Sequence, residues 1–354
     1  MSANSKIEWT DHTFNPWIGC TQVSPGCDGC YAKAWDRRFA VSGNAMRWGA
    51  GVKRTRTSAA NWRQPLKWNK AHAAFFAVHG RRQRVFCASL ADVFDNEVDP
   101  MWRADLFQLI SETPNLDWLL LTKRIGNARS MLPVWYEDPA AWPESISAHA
   151  NVWIGATICN QAEADRDIPK LLQVPARVRF LSMEPLLGPV DLTDISDGHA
   201  DRDIPRDYWE EGFDTEDSPP AVGHNALTGE RWQRFGEWRE DGPRVDWVIV
   251  GGESGPNARP MHPSWARSLR DQCAAAGVPF LFKQWGEWMP PESRSTPYAA
   301  KDWRDVVDTT GQVRPIAWVG DRVLESSRQV VRVGKKAAGR LLDGREWNEV
   351  PPCS

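Results

Sequence analysis

The chain has 354 residues, a mass of 40.0 kDa and a near-balanced charge, 43 Lys/Arg against 46 Asp/Glu, for a net −3. With 25% charged and 42% hydrophobic residues it reads as an ordinary globular protein, and no apolar run approaches the ~18 residues of a membrane-spanning helix. The stretch MSANSKIEWTDHTF lacks the apolar core of a secretory signal, so a cytoplasmic location is expected, where seven cysteines serve as thiols or metal ligands rather than disulfides.

A first strand is expected near 13–19, running into the loop Cys20-Thr-Gln-Val-Ser-Pro-Gly-Cys27-Asp-Gly-Cys30. Residues 1–90 carry 14 Lys/Arg against four acids, a balance of +10, interleaved with Trp35, Trp48, Asn61, Trp62, Gln64 and Trp68. Cations beside stacking side chains suit a nucleic-acid backbone and its unstacked bases, though a solvated basic face has the same composition. On this basis Arg54, Arg56, Trp62, Arg63 and Lys67 are expected to contact nucleic acid. Six nearly continuous apolar runs follow, at 84–90, 117–122, 151–158, 177–184, 245–253 and 278–284, as in strands covered on both faces of a parallel sheet. Helical patterns lie between them. Asp99-Pro100 supplies a cap and a first-turn proline ahead of Trp102, Leu106, Leu109 and Ile110, and Pro263 opens a segment with Trp265, Leu269 and Cys273 on one face.

The strand starts are spaced by 33, 34, 26, 68 and 33 residues, and a βα unit of about 30 residues accounts for all but the fourth. The excess falls in 190–244; over 190–245 there are 15 acids and six arginines. The pattern therefore predicts an α/β protein, a complete or partial (β/α) barrel over 1–285 of about seven units, with an acidic insertion at 190–244. A C-terminal extension, 286–354, is expected to pack on the barrel, its segment 334–347 (GKKAAGRLLDGREW) forming a basic helix and a Gly turn. Tryptophan outnumbers tyrosine 21 to 4; most tryptophans are expected to pack helices on the barrel. The site of such a barrel lies at the C-terminal ends of its strands.

Three cysteines within eleven residues imply soft-metal or iron–sulfur ligation, while Cys87, Cys159, Cys273 and Cys353 are scattered singly. A structural zinc wants four ligands, and His12 leaves a Cys3His site open. Three thiolates and an open fourth position fit a [4Fe–4S] cluster. The loop resembles that of radical S-adenosylmethionine (SAM) enzymes. The wider chain resembles a phage-associated, three-cysteine-motif family of radical-SAM-like proteins, itself similar to spore photoproduct lyases. The matching stretches are WTDHTFNPWIGCTQVSPGCDGCYA, CASLADVFD, LLLTKR, NVWIGATICNQ, RFLSMEPLLGPV, DWVIVGGESGPNARPMH, FKQWGEW and GKKAAGRLLDGREW. The commonest radical SAM spacing is CxxxCxxC; here six residues separate Cys20 from Cys27, and Gly29 stands where an aromatic residue precedes the last cysteine.

The resemblance implies that Cys20, Cys27 and Cys30 hold the cluster and that SAM chelates its fourth iron. A reductase or other electron donor then supplies one electron, and a 5′-deoxyadenosyl radical abstracts hydrogen from the substrate. It further implies a task on nucleic acid, DNA first, as in photoproduct repair or base modification. Ser89 and Asp92, after the second strand, stand where such enzymes contact the SAM amino group. Thr122, Lys123 and Arg124 form a compact cationic group suited to a carboxylate or phosphate. Asn160 and Gln161 suit ribose hydroxyls, and Gly251 and Gly252 permit close approach of a ligand. Glu184 and Lys283, at the ends of two strands, are the expected catalytic pair, with Glu184 also orienting the cofactor. Structural roles compete at each position: Asp92 as a helix cap, Glu184 and Lys283 as an ion pair across the mouth, Cys87 and Cys159 as small buried hydrophobes, and His262 as a cap or surface residue. Two other readings of the chain stay open. One is a cluster-bearing nucleic-acid-binding or sensing protein without SAM chemistry, and the other is a zinc-stabilised interaction module.

Overall fold

The apolar runs pair side by side in chain order. In a computed structural model, which describes residues 5–41, 43, 45–132, 150–196, 222–233, 239–291, 303–315 and 327–352, they form one seven-stranded parallel sheet. Its strands are β1 (His12–Phe14), β2 (Gln83–Cys87), β3 (Leu116–Thr122), β4 (Val152–Thr157), β5 (Val178–Met183), β6 (Trp247–Gly251) and β7 (Phe280–Gln284). Each is hydrogen-bonded to its sequence neighbour, so β1 and β7 are the two edges of a curled half-barrel. The barrel is thus partial, and β2–β7 begin within two residues of the expected positions.

Helices cover the outer face. Pro100–Ser111 starts where Asp99 accepts from the Met101 amide and Pro100 occupies the first turn. His262 caps Pro263–Ala276 by accepting from the Ser264 amide, and Gly277, at φ 67°, ends that helix. His262 is buried, so it is a cap and not a surface residue. Because side chains alternate across a strand, one set packs under these helices: Val85, Cys87, Trp118, Leu120, Ile154, Leu181, Val248, Val250 and Phe282. The opposite set, Phe86, Leu119, Trp153, Phe180, Trp247, Ile249 and Leu281, fills the hollow together with Trp9. Trp9 stands 4.8 Å from Phe86 and 6.2 Å from Trp247, which is 6.0 Å from Trp153. The tryptophan excess is therefore used on both faces of the sheet, with Trp9, Trp153 and Trp247 inside it rather than under helices. Gly155 makes room for this aromatic floor, since a Cβ there would collide with the Phe180 ring.

Farther along the strands the inward positions shrink and turn polar: Ala88, Thr157, Ser182 and Lys283. The change from aromatic to small side chains leaves the C-terminal mouth of the half-barrel hollow.

The described part of the acidic insertion forms a small antiparallel sheet of Ile195–Ser196, Val222–His224, Glu230–Gln233 and Arg239–Asp241. Its residues 197–221 and 234–238 lie outside the described residues. A second antiparallel sheet, Trp288–Met289, Ser327–Arg332, Trp303–Asp308 and Val313–Pro315, opens the C-terminal extension. The tail then returns to the outer edge of β7, where the Phe282 amide donates to Trp347 O and the Glu349 amide to Phe280 O; this covers an otherwise open strand edge. The basic helix expected over 334–347 is only Lys335–Ala338. Gly334 (φ 86°) and Gly339 (φ 69°) bound it, and a Leu342–Arg345 bridge turns the chain beyond. Cys353 lies outside the described residues. Among the described residues no helix is long and apolar enough to cross a membrane.

Candidate functional site

The hollow mouth is a cavity of about 440 Å³, within the range of about 300–1,000 Å³ typical of small-molecule sites. Trp9, Phe86 and Leu121 floor it, and Ser89, Asp92, Lys123, Thr157, Ser182, Glu184 and Lys283 line its walls. The cysteine loop closes it, with Cys20, Cys27 and Cys30 all on its lining.

Local chemistry holds the loop in that position. Gly19, at φ 116°, opens the cysteine loop by a turn closed to side chains, because a Cβ would strike the Arg47 carbonyl. Its amide donates to Leu90 O, tying the loop to the end of β2. Ser24 caps the short turn Pro25–Cys27. The two glycines between the cysteines permit close seating: a Cβ at Gly26 would stand 2.5 Å from Cys159 Sγ, and one at Gly29 2.6 Å from Glu253 Oε1.

Three arginines clamp the loop from different elements. Arg124, after β3, donates to Cys20 Sγ at 3.3 Å and to Thr21 O at 2.6 Å, backed by Asp92 at 3.3 Å. Arg259 grips the buried Glu253 carboxylate through Nε and Nη2 (2.8 and 2.7 Å) and reaches Asp28 and Pro25 O (3.1 and 2.9 Å). Arg54 donates to Thr21 Oγ1 at 2.6 Å while paired with Asp95 at 2.8 Å. Burial, helped by Asp92, pushes the Cys20 thiol up to about 11, against the pull of Arg124. Burial likewise pushes up Cys159, which is fully buried beneath Gly26.

Most expected strand-end residues reach the cavity. Ser89 lines it and accepts from Asn15 at 2.9 Å. Asp92 lines it but is largely occupied: Oδ1 accepts from the Phe94 amide and the Thr122 hydroxyl, Oδ2 from the Lys123 amide and Arg124. It is a buckle between the ends of β2 and β3 and caps no helix: Asp99 and Arg124 stand at the N-caps of the helices that follow. Glu184 and Lys283 do pair across the mouth at 2.6 Å, and Gln284 donates to the same carboxylate at 2.7 Å. Gly252 lines the cavity, while Gly251 stands behind it, its missing Cβ 3.3 Å from Glu184.

Other expectations are corrected. Asn160 is the N-cap of Gln161–Leu172, accepting from the Glu163 amide. Gln161 bonds Asp165 and accepts from the Asp191 amide, latching the start of the insertion. Neither lines the cavity, so neither is placed to meet a ribose there. His12, in β1, stacks on Trp68 at 4.1 Å and bonds Gln83 at 2.6 Å; it does not line the cavity with the cysteines. Arg54 is 2% exposed, so it has no surface to offer a phosphate. Arg56 lies 4.3 Å over the Trp62 ring and pairs with Asp105 at 2.6 Å. Trp62 meets Phe14 edge-on at 5.7 Å, so its ring is taken up by the protein. Arg63 and Lys67 are exposed. Glu253 falls at the polar end of the sixth apolar run, but nothing local in the sequence marks Arg259 as its partner in clamping the loop.

Thiols are the ligand type that an iron–sulfur cluster takes. The lining thiols are the three of one loop, Cys20 receives an N–H···S bond of the kind that accompanies ligated sulfur, and Cys159 is held behind the loop. Among the described residues no three His, Cys, Asp or Glu side chains are gathered closely enough to hold a metal ion.

Fold and site together define an α/β half-barrel protein with a cysteine loop closing a cavity at the C-terminal mouth of its parallel sheet. The chain belongs to the family described as "Protein of unknown function (DUF5131)", which matches residues 4–351. No curated protein and no solved structure matches it.

Proposed function

We propose that the protein is a radical-SAM-type iron–sulfur enzyme acting on nucleic acid, with a [4Fe–4S] cluster on Cys20, Cys27 and Cys30 and SAM in the cavity beside it. One observation carries the reading. Three thiols of a single loop line the same cavity as a ring of strand-end polar groups, at the C-terminal mouth of a parallel half-barrel.

When bound, the cluster and SAM supply one-electron reduction and hydrogen-atom abstraction, chemistry that belongs to the cofactors. The chain's own residues position and shield them. Arg124 donates to Cys20 Sγ and holds that sulfur in place. Arg259 fixes the other end of the loop to Glu253. Glu184, anchored by Lys283 and Gln284, presents a carboxylate to the cavity that accepts hydrogen bonds from an amino or hydroxyl group. Ser89 offers a hydroxyl on the β2 side. The floor of Trp9, Phe86 and Leu121 keeps water from the base of the site.

Anaerobic reconstitution with iron and sulfide, followed by reduction with SAM present, tests this. The expected results are the broad visible absorbance of a [4Fe–4S] cluster, lost in Cys27→Ala, and release of 5′-deoxyadenosine and methionine. A stably loaded cluster that leaves SAM intact with several reductants would overturn the enzymatic reading, and stoichiometric zinc with no cluster would overturn both.

A further inference from the structure

Charge does not balance on the walls of the cavity. Its lining carries five cations, Lys33, Lys123, Arg124, Lys283 and Lys335, against three carboxylates, Asp92, Glu184 and Glu253. All three carboxylates are engaged: Asp92 by Arg124 at 3.3 Å, Glu184 by Lys283 at 2.6 Å and Glu253 by Arg259 at 2.7 Å. Lys123 is half-buried and donates to Thr157 Oγ1 at 3.3 Å. Among the described residues the Lys33 and Lys335 ammonium groups have neither an ion pair nor a hydrogen bond.

These two lysines come from opposite ends of the chain, and each sits on anchored backbone. Lys33 lies in the first turn of Tyr31–Val41, where the Tyr31 hydroxyl donates to Ser89 O at 2.6 Å and ties that turn to the end of β2. Lys335 opens the turn Lys335–Ala338. The Gly334 amide before it donates to Glu287 O at 3.1 Å, and Ala338 is buried in the core. Arg332 holds the carbonyls of Gly255 and Pro256, after β6, at 3.1 and 2.6 Å. Lys336, the next residue, is exposed and does not line the cavity.

Resting on the nucleic-acid reading above, we propose that Lys33 and Lys335 clamp a phosphodiester of the substrate at the mouth of the cavity, beside the base being processed. The cofactors of that reading do not supply the missing charge. An oxidised [4Fe–4S] core on three thiolates is a monoanion and SAM a monocation, so together they cancel. The excess falls to the substrate. A cleft lined by one sign of charge focuses its field and collects ligands of the opposite sign, and the phosphate ester is the anion that a nucleic acid offers. Ammonium groups from two elements can each donate to a separate phosphate oxygen. The clamp gives the C-terminal extension a part in the site besides covering the edge of β7.

Isothermal titration of the cluster-loaded full chain, with SAM present, tests this with the thymidine dinucleotide d(TpT) and its uncharged methylphosphonate analogue. The natural dinucleotide should bind about tenfold or more tighter, as charge-assisted bonds to the phosphate require. Lys33→Gln and Lys335→Gln should each remove part of that gap and the double variant most of it, while binding of the analogue stays unchanged and so reports intact folding. Lys336→Gln, the same loss of charge off the lining, should leave both affinities as they are. Equal binding of the two ligands, or a gap that the double variant keeps, overturns the clamp and leaves nucleic acid as the substrate class. A gap closed by Lys123→Gln alone places the phosphate beneath the cysteine loop and also overturns the clamp. No binding of either ligand or of a longer oligothymidylate, with SAM cleavage intact, overturns the nucleic-acid reading and the clamp together.

Discussion

Arg54→Ala discriminates sharply between a surface arginine and a structural one. The Arg54 side chain is 1% exposed and Asp95 2%. Its Nη1 donates to Gly49 O and Val52 O at 3.0 and 2.7 Å, and its Nη2 to Thr21 Oγ1 at 2.6 Å. Removing one member of a buried ion pair leaves the other charge uncompensated, at a cost of about 3–5 kcal/mol. Asp95 keeps the Glu97 amide at 3.2 Å and Arg124 at 4.0 Å, which argues for the lower end, about 3 kcal/mol. With an unfolding entropy of about 2.1 cal/mol/K per residue over 354 residues, that lowers Tm by about 4 °C. Differential scanning calorimetry and urea melts measure this directly. Arg54→Ala/Asp95→Asn should recover at least about 1 kcal/mol of it, because the stranded charge is then gone. Oligonucleotide affinity of the folded variant should match wild type. A wild-type Tm combined with weakened oligonucleotide binding would refute the reasoning and return Arg54 to the surface.

Two further predictions concern the sheet. Gly155→Ala should destabilise the protein by about 1–3 kcal/mol, because the new methyl meets the Phe180 ring. Phe180→Leu in the same chain should relieve part of the loss in urea melts, and a strictly additive pair would contradict the contact. Asp117, at the foot of β3, is buried, and burial pushes its carboxyl up to about 6 despite Arg82 at 3.6 Å. The folded chain thus holds this proton to higher pH than the unfolded chain, whose carboxyl titrates near 3.8. Stability from this residue is complete below that value and falls as pH rises to about 6, where it stays lost. Asp117→Asn should therefore exceed wild type at neutral pH by up to about 3 kcal/mol, the gap closing at about pH 4. A gap that does not change with pH would exclude this cause.

The sheet was legible because fully buried parallel strands carry their signal in continuous apolar runs, such as VRFLSM and WVIVG, bounded by polar ends. Helix starts at Asp99-Pro100 and His262-Pro263 were legible because capping is local. What eluded the sequence depends on which face of a strand a side chain takes. Trp153 and Trp118 sit in equally apolar runs, yet one packs on the inner face of the sheet and the other against the helices. Asn160 and Gln161 follow β4 as Ser89 and Asp92 follow β2, but the helix starts at once after β4 and spends both side chains on its cap and on the insertion. The segment 334–347 read as helical from its Lys, Ala and Leu content; Gly334 and Gly339 restrict it to one turn.

Charge counting does not separate surface from interior cations, for a related reason. The +10 balance of residues 1–90 suggested a broad basic surface, but a guanidinium on a long stem also serves as interior scaffolding, satisfying several carbonyls and one carboxylate at once. Arg47, Arg54 and Arg84 are buried, and Arg56 and Arg81 pair with Asp105 and Asp11. The loop that brings Cys20, Cys27 and Cys30 to the mouth has little apolar surface of its own, so arginines anchored on Asp92, Asp95 and Glu253 hold it in place of a core. Composition alone cannot divide such cations between scaffold and surface. Burial can, and it removes Arg54 from the surface expected to meet nucleic acid.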